Sequence, residues 1–246
     1  MKLLVCISKT PDTTSKISFV DGGKSYNTDG ISFIMNPYDE WYALVRAIEL
    51  KEQFGGTVTV INVGNASNDI VIRKALAIGA DDAFRVDSES PSAFFTASQI
   101  AAFAKDKAYD IIFTGKETID YNGSSVGAML AEMLDLPYIS YANQLTVQGT
   151  AASLSREIEG GDELVEVSLP IVLSAAKGLA QQRIPNMQGI MMSKKKPLEV
   201  IAPVDVQNHV QVVTHELPNA KKGVKLLSVE EIDELVRLLH EEAKVI

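Results

Sequence analysis

Short apolar runs alternate with amphipathic segments through the first 134 residues, and few folds accommodate that alternation. Residues 3–7 are apolar without a break, as in a strand buried on both faces. Residues 39–54 carry apolar side chains at helical spacing. Repeated strand–helix units predict an α/β fold with a doubly wound, mostly parallel sheet. These strand–helix units predict strands at 3–7, 58–63, 83–86 and 110–114, and helices at 39–54, 68–78, 92–106 and 128–134.

The pattern changes after Pro137. Residues 143–176 predict short antiparallel strands that extend the sheet, and residues 177–225 are polar and weakly periodic. Residues 228–243 predict a terminal helix, with Ser228 and Glu231 spaced as a capping box. We therefore predict a domain over residues 1–194 and a C-terminal arm over 195–246. The sequence leaves open whether the terminal helix packs on a partner or on its own domain.

Composition excludes several classes of function. The formal net charge of −9 disfavours a nucleic-acid groove as the main function. One cysteine, Cys6, permits no internal disulfide and suits a reducing cytoplasm. Three scattered histidines give no support for a metal site. No apolar run approaches the length of a membrane span, so neither secretion nor membrane insertion is expected.

The predicted sheet places three segments where ligands bind in open α/β folds, outside the carboxyl ends of the strands. These segments are residues 6–9, 63–65 and 115–127. The third contains glycines and hydroxyls and precedes a predicted helix, whose N-terminal N–H groups suit a phosphate. It matches neither a P-loop nor the dinucleotide-binding fingerprint, so an ordinary capped loop remains the alternative.

Residues 156–174 read as two strands joined by an acidic, glycine-bearing turn at 159–162. Together with three other motifs, this stretch resembles the electron transfer flavoprotein β-subunit family. The other motifs are Asn36-Pro37-Tyr38 before the first helix, Gly115-Lys116 with Asp120 after a strand, and Arg183, Pro185 and Gly189-Ile190-Met191 before the lysines at 194–196. The resemblance covers essentially the whole chain.

The resemblance implies a Rossmann-like domain that binds an adenine nucleotide, either AMP or, in electron-bifurcating members, a second FAD. It also implies a docking loop with Met187 at its tip. Ser8, Tyr121, Ser124, Ser125 and Val126 depart from the usual family residues, which leaves the nucleotide's identity open. Carried over by motif, cofactor contacts come from Cys6, Asn36, Pro37, Tyr38, Asp39, Val63, Gly115, Lys116, Asp120, Asn122, Gly123, Ser124, Ser125 and Val126, and docking contacts from Ile184, Pro185, Met187 and Gly189.

The function that the resemblance implies is that of an electron carrier. Such a chain is the small subunit of a heterodimer whose α subunit holds most of the contacts to a redox-active FAD, and it docks acyl-CoA or other flavin dehydrogenases. No catalytic residue is expected in it. Two alternatives remain, a β subunit with a second FAD in place of AMP and a stand-alone adenine-nucleotide-binding module.

Overall fold

A computed structural model describes residues 1–89, 92–220 and 223–246. The strands are β1 (Lys2–Cys6), β2 (Lys9–Pro11), β3 (Phe19–Val20), β4 (Ser25–Tyr26), β5 (Phe33–Met35), β6 (Thr57–Val63), β7 (Asp82–Val86), β8 (Ile111–Gly115), β9 (Tyr138–Gln148), β10 (Ala151–Ile158), β11 (Gly161–Ser168), β12 (Ile171–Ala175) and β13 (Leu198–Ile201). The α-helices are α1 (Asp39–Phe54), α2 (Asp69–Ile78), α3 (Ala93–Ala104), α4 (Val126–Leu134), α5 (Met187–Ser193) and α6 (Ile232–Arg237). Short 3₁₀ turns lie at Asp21–Gly23 and Ala66–Asn68, and a π-helical turn follows α6 at Leu238–Ala243.

Nine strands form the central sheet in the order β11-β10-β9-β12-β8-β1-β6-β7-β13. The run from β9 to β13 is parallel, whereas β9, β10 and β11 pair antiparallel. The strand order reverses around β1, so the chain winds outward in both directions from the middle of the sheet. The predicted doubly wound, mostly parallel α/β fold is confirmed.

Helices cover both faces of the sheet, which explains the unbroken apolar runs. Leu3 and Val5 of β1 pack in the core with α1 and α2, and Leu4 packs in the opposite core with α3 and α4. Each of these three side chains has no exposed area. A strand buried on both faces has no polar side to alternate with.

The predicted hairpin is present as β10 and β11. Ile158 pairs with Gly161, and Gly160 in the turn has a φ of 85°. That left-handed backbone favours glycine, since it costs other residues free energy. On the outer part of the hairpin, Arg156 Nε donates to Glu163 Oε2 at 2.6 Å.

Strand β12 corrects the expectation of antiparallel strands throughout residues 143–176. It lies between β8 and β9 and is parallel to both. All five of its residues are buried, whereas β11 has mostly exposed ones. A strand of mainly apolar residues, such as β12 with Ser174 as its one polar residue, gains more from a place inside the sheet than from one at its edge.

Two elements after residue 177 were not predicted. Helix α5 spans seven residues and packs on α2, and β13 pairs with β7 at the sheet edge. The sheet therefore extends past the predicted boundary at residue 194, as far as Ile201.

The terminal helix begins at Ile232, later than predicted, and changes to π-helical geometry at Leu238. Ser228 N donates to the Glu231 carboxylate at 2.8 Å, but Ser228 lies in the turn before the helix. Ile232, Leu235 and Val236 are between 44% and 63% exposed and belong to neither core cluster of the sheet domain. Among the described residues, every helix is too short or too polar to cross a membrane.

Candidate functional site

A cleft of about 290 Å³ opens at the carboxyl ends of β1, β6 and β8. The N-terminus of α4 and the loop before it form one wall, and the start of α3 forms another. Nine of the predicted cofactor-binding residues line this one cleft: Cys6, Val63, Gly115, Lys116, Asp120, Gly123, Ser124, Ser125 and Val126.

The remaining five predicted residues lie outside the lining. Asn36 has no exposed area; its Nδ2 donates to Glu117 O at 2.9 Å and its Oδ1 accepts from Ile119 N at 3.0 Å. It therefore shapes the loop that follows β8. Pro37 is buried, and Tyr38 is 56% exposed with a φ of 63° where α1 begins. Asp39 is buried in the first turn of α1, and Asn122 has a φ of 50° in the loop.

The N-terminus of α4 has features that suit an anion. Ser125 precedes the helix, but its Oγ donates to Gly123 O at 2.5 Å and does not cap the first turn. The first backbone N–H groups of a helix have no partner within the helix and carry a positive partial charge. A Cβ added to Gly123 would meet open space.

At Gly127, unlike at Gly123, the surrounding side chains leave no room for a Cβ. A Cβ there would lie 2.8 Å from Thr114 Oγ1 and 2.9 Å from the Tyr138 hydroxyl. The absence of a side chain therefore lets α4 pack closely on β8 and β9, rather than letting a ligand approach the backbone.

Two lysines and three acids line the same cleft: Lys9, Lys116, Glu40, Glu117 and Asp120. Lys9 Nζ donates to Ser67 Oγ at 2.5 Å and lies 4.6 Å from the centre of the Phe33 ring. Burial lowers the Lys9 pKa. Lys116 Nζ lies 3.7 Å from Glu117 Oε1. The lysines partly offset the acidic charge where an anion would bind.

Sequence analysis missed Glu40, which lies deep in the cleft wall. Ser8 donates twice to its carboxylate, from N at 2.7 Å and from Oγ at 2.5 Å. Burial is the main cause that raises the pKa of Glu40 to about 8. The two hydrogen bonds from Ser8 lower this pKa, whereas the negative charges of Asp120 and Asp39 raise it. Burial also raises the pKa of Asp39 to about 6.

Sequence analysis also missed two buried amides, Asn62 near the end of β6 and Asn68 in the 3₁₀ turn that follows. Asn62 Nδ2 donates to Ile7 O at 2.9 Å, and Asn68 Nδ2 donates to Asn62 Oδ1 at 2.9 Å. Asn68 lines the cleft, and its Oδ1 meets no donor among the described residues. The one signal in the sequence was a polar residue, Asn62, inside an apolar strand.

The predicted docking residues lie far along the chain from these loops, at the start of α5. Ile184 and Met187 are 85% and 74% exposed. The Asn186 Oδ1 caps α5 by accepting from Gly189 N at 2.7 Å, and a Cβ at Gly189 would clash with Ala77 O of α2. Pro185, between the two apolar side chains, is half-buried. The segment thus presents apolar side chains from a fixed base.

Arg183 anchors the segment on its other side. Its Nη1 and Nη2 donate to the two carboxylate oxygens of Glu52 at 2.7 and 2.9 Å. Its carbonyl accepts from Trp41 Nε1 at 3.0 Å. A paired, bidentate geometry of this kind holds the backbone before Ile184 in place.

The family model of the electron transfer flavoprotein domain matches residues 24–206. The chain belongs to the electron transfer flavoprotein β-subunit family. It is 37% identical to the electron transfer flavoprotein subunit beta of Bacillus subtilis, with the whole of each chain covered. It is 36% identical to that of Syntrophomonas wolfei over 92% of this chain and 90% of the relative, and 32% identical to that of Homo sapiens over 100% and 99%.

Within residues 1–89, 92–220 and 223–246, His, Cys, Asp and Glu side chains nowhere gather in threes that could hold a metal ion. The electron transfer flavoprotein chain instead offers a cleft with backbone donors, mixed charge and buried amides.

Proposed function

We propose that this chain is the small subunit of a heterodimeric electron transfer flavoprotein and binds AMP in its cleft. The observation that supports this most is the position of the cleft, between the ends of three parallel strands and the N-terminus of α4. Helix N-termini bind phosphate through their free N–H groups. Lys9 and Lys116 line the same cleft and offer cations for a phosphate.

The redox chemistry belongs to FAD, which accepts and passes on electrons and would be held mainly by the α subunit. This chain's contribution is to bind the structural nucleotide, to contact the α subunit and to present the docking segment to acyl-CoA or other flavin dehydrogenases. A reducing cytoplasm suits its single cysteine.

A second FAD in place of AMP is supported by a neighbouring cleft. That cleft measures about 570 Å³ and shares Lys9, Asp120 and Tyr121 with the first. Its walls include Phe19, on which His215 of the C-terminal segment stacks at 5.1 Å between ring centres. The two clefts together offer room for a dinucleotide, as in an electron-bifurcating member.

Nucleotide content separates the two candidates. We expect the purified heterodimer to release one AMP and one FAD on denaturation, because the first cleft alone has the size of a mononucleotide site. Mass spectrometry of the released ligands, with flavin counted by absorbance, measures both. Two FAD per heterodimer and no AMP would assign the chain to the bifurcating class. Release of FAD without any nucleotide from this chain would contradict both.

Removal of residues 226–246 is expected to weaken association with the α subunit at least about tenfold. The deleted segment carries exposed apolar side chains, and burial of each would contribute on the order of 1 kcal/mol or more. Isothermal titration of the two purified subunits measures the dissociation constant. Of the deleted residues only Leu238 is buried, so thermal unfolding of the truncated chain alone is the control and should change little. An unchanged dissociation constant would show that the arm is not the interface.

A further inference from the structure

We infer that Trp41 is a positioning residue of the docking segment, residues 183–189. Its indole N–H holds the main chain from which Ile184 and Met187 project toward a partner dehydrogenase. This inference rests on the proposed function, since it concerns how the docking contacts of this chain are kept in place.

The Trp41 side chain bonds to the main chain where the docking segment begins. Residues 176–186 connect β12 to α5 without forming a helix or a strand. Trp41, in the first turn of α1, donates from Nε1 to Arg183 O at 3.0 Å. That carbonyl belongs to the planar peptide group that joins Arg183 to Ile184, so holding its oxygen also fixes the direction of the main chain into Ile184.

The indole ring is itself held in one orientation. Trp41 is 8% exposed and belongs to the core cluster that α1 and α2 form with the sheet. Lys74 Nζ of α2 lies 4.3 Å from the centre of the ring, a distance at which a cation is attracted to the ring face. The indole N–H can only donate, and a carbonyl oxygen suits it. A fixed ring therefore presents a fixed donor to the docking segment.

The other anchors of the docking segment act differently. The side chains of Arg183 and Glu52 are 39% and 54% exposed, so solvent screens their ion pair. That pair also holds a long side chain rather than the main chain. The cap at Asn186 holds the start of α5, further along the segment. The bond from Trp41 is the one that joins the core of the domain to the main chain at the entry of the segment.

Reduction of the assembled heterodimer by a cognate dehydrogenase tests the inference with Trp41→Phe, which keeps an aromatic ring but lacks the N–H. Loss of this hydrogen bond should raise the apparent KM for the flavoprotein about fivefold. The rate at saturation and reduction by a small chemical reductant should not change. Tyr42→Phe, at the next position of α1, is the matched control and should leave the KM unchanged.

A double variant shows whether Trp41 acts through the docking contacts. In a Met187→Ala background, Trp41→Phe should raise the KM by less than about twofold, because the contact that it positions is already gone. An unchanged KM for Trp41→Phe alone overturns the inference and leaves the docking role standing. An equal rise in both backgrounds also overturns it, since Trp41 would then act independently of Met187. If Met187→Ala itself leaves the KM unchanged, the docking role fails and the inference fails with it.

A closer isostere decides the inference if Trp41→Phe fails to fold. The chain contains a single tryptophan, so incorporation of benzothienylalanine, with sulfur in place of the indole N–H, changes Trp41 alone. The same fivefold rise in KM is expected. Hydrogen exchange at Gly189 and Ile190, whose amides donate to Asn186, should also become about fivefold faster while exchange in β1 and β8 stays the same. Faster exchange throughout the sheet with an unchanged KM would show that Trp41 only fills the core.

Discussion

Replacement of Glu40 by glutamine is expected to remove a large pH dependence of stability. In the unmodified chain, the free energy of unfolding should fall by several kcal/mol, about 5 at most, between pH 4.5 and pH 8. Glu40→Gln should remove most of that fall, because the amide has no charge to bury. A smaller fall should remain below about pH 6, since burial also raises the pKa of Asp39 from 3.8 to about 6. Urea unfolding at several pH values measures the free energy in both proteins.

The sign follows from the direction of the pKa change. The pKa of Glu40 is raised from 4.5 to about 8, chiefly by burial. Below pH 4.5 the carboxyl is protonated in folded and unfolded chains alike. Between pH 4.5 and 8 the unfolded chain releases the proton while the folded chain keeps it, so rising pH favours unfolding. Stability is lost as the pH rises, opposite to the usual behaviour of a paired carboxylate.

Glutamine preserves the local geometry. Its Oε1 can accept from Ser8 N, and its Nε2 can donate to Ser8 Oγ, in place of the two bonds that the carboxylate accepts. Glu166→Gln, on the exposed face of β11, is the matched control and should leave the pH profile parallel to that of the unmodified chain. If Glu40→Gln shows the same fall as the unmodified chain, Glu40 is already ionised in the folded protein at neutral pH.

The central strands of the sheet were predictable from the sequence, because the residues of each strand themselves show that the strand is buried. Each of β1, β6 and β8 is buried on both faces and therefore appears as a mainly apolar run, with Thr59 and Asn62 as polar exceptions in β6. Glycines just past α1 and α2 mark where those helices end.

The elements that the sequence did not reveal depend on distant contacts. The place of β12 between β8 and β9 is decided by pairing with residues far from it in the chain. Helix α5 has seven residues, too few for a helical period, and is held by a cap at Asn186 and by packing of Gly189 on α2. Its stability comes from tertiary contacts more than from propensity.

In the candidate site, too, some residues were predictable from the sequence and others were not. The position of the loop at residues 115–126 beside the cleft was predictable, because it follows an apolar strand and precedes a helix, at the carboxyl end of the sheet. That it binds an anion stays a prediction. Glu40 and the amides of Asn62 and Asn68 were not predictable, since each depends on a partner that only the fold brings near. Ser8, for example, lies next to Glu40 because β1 ends above the start of α1.

Met187→Ala is expected to raise the apparent KM for the flavoprotein about thirtyfold when a cognate dehydrogenase reduces it. An apolar side chain held at the tip of a rigid segment can act as an interface hot spot, for which truncation costs about 2 kcal/mol or more. Met187 is 74% exposed at the first position of α5. Its base is held by Arg183, Asn186 and Gly189, so truncation removes contact area without loosening the segment. Steady-state kinetics with the flavoprotein as varied substrate measures the change.

The rest of the expected result distinguishes docking from folding. The rate at saturation, the melting temperature and the nucleotide content should change little, because Met187 packs on no core cluster. Reduction by a small chemical reductant should be unaffected, since that route needs no docked protein. Leu164→Ala is the matched control: Leu164 is 83% exposed on β11, at the edge of the sheet opposite β13, and its loss should leave the KM unchanged. A Met187→Ala variant that melts many degrees lower but is reduced normally would show that Met187 stabilises the fold and does not dock the dehydrogenase.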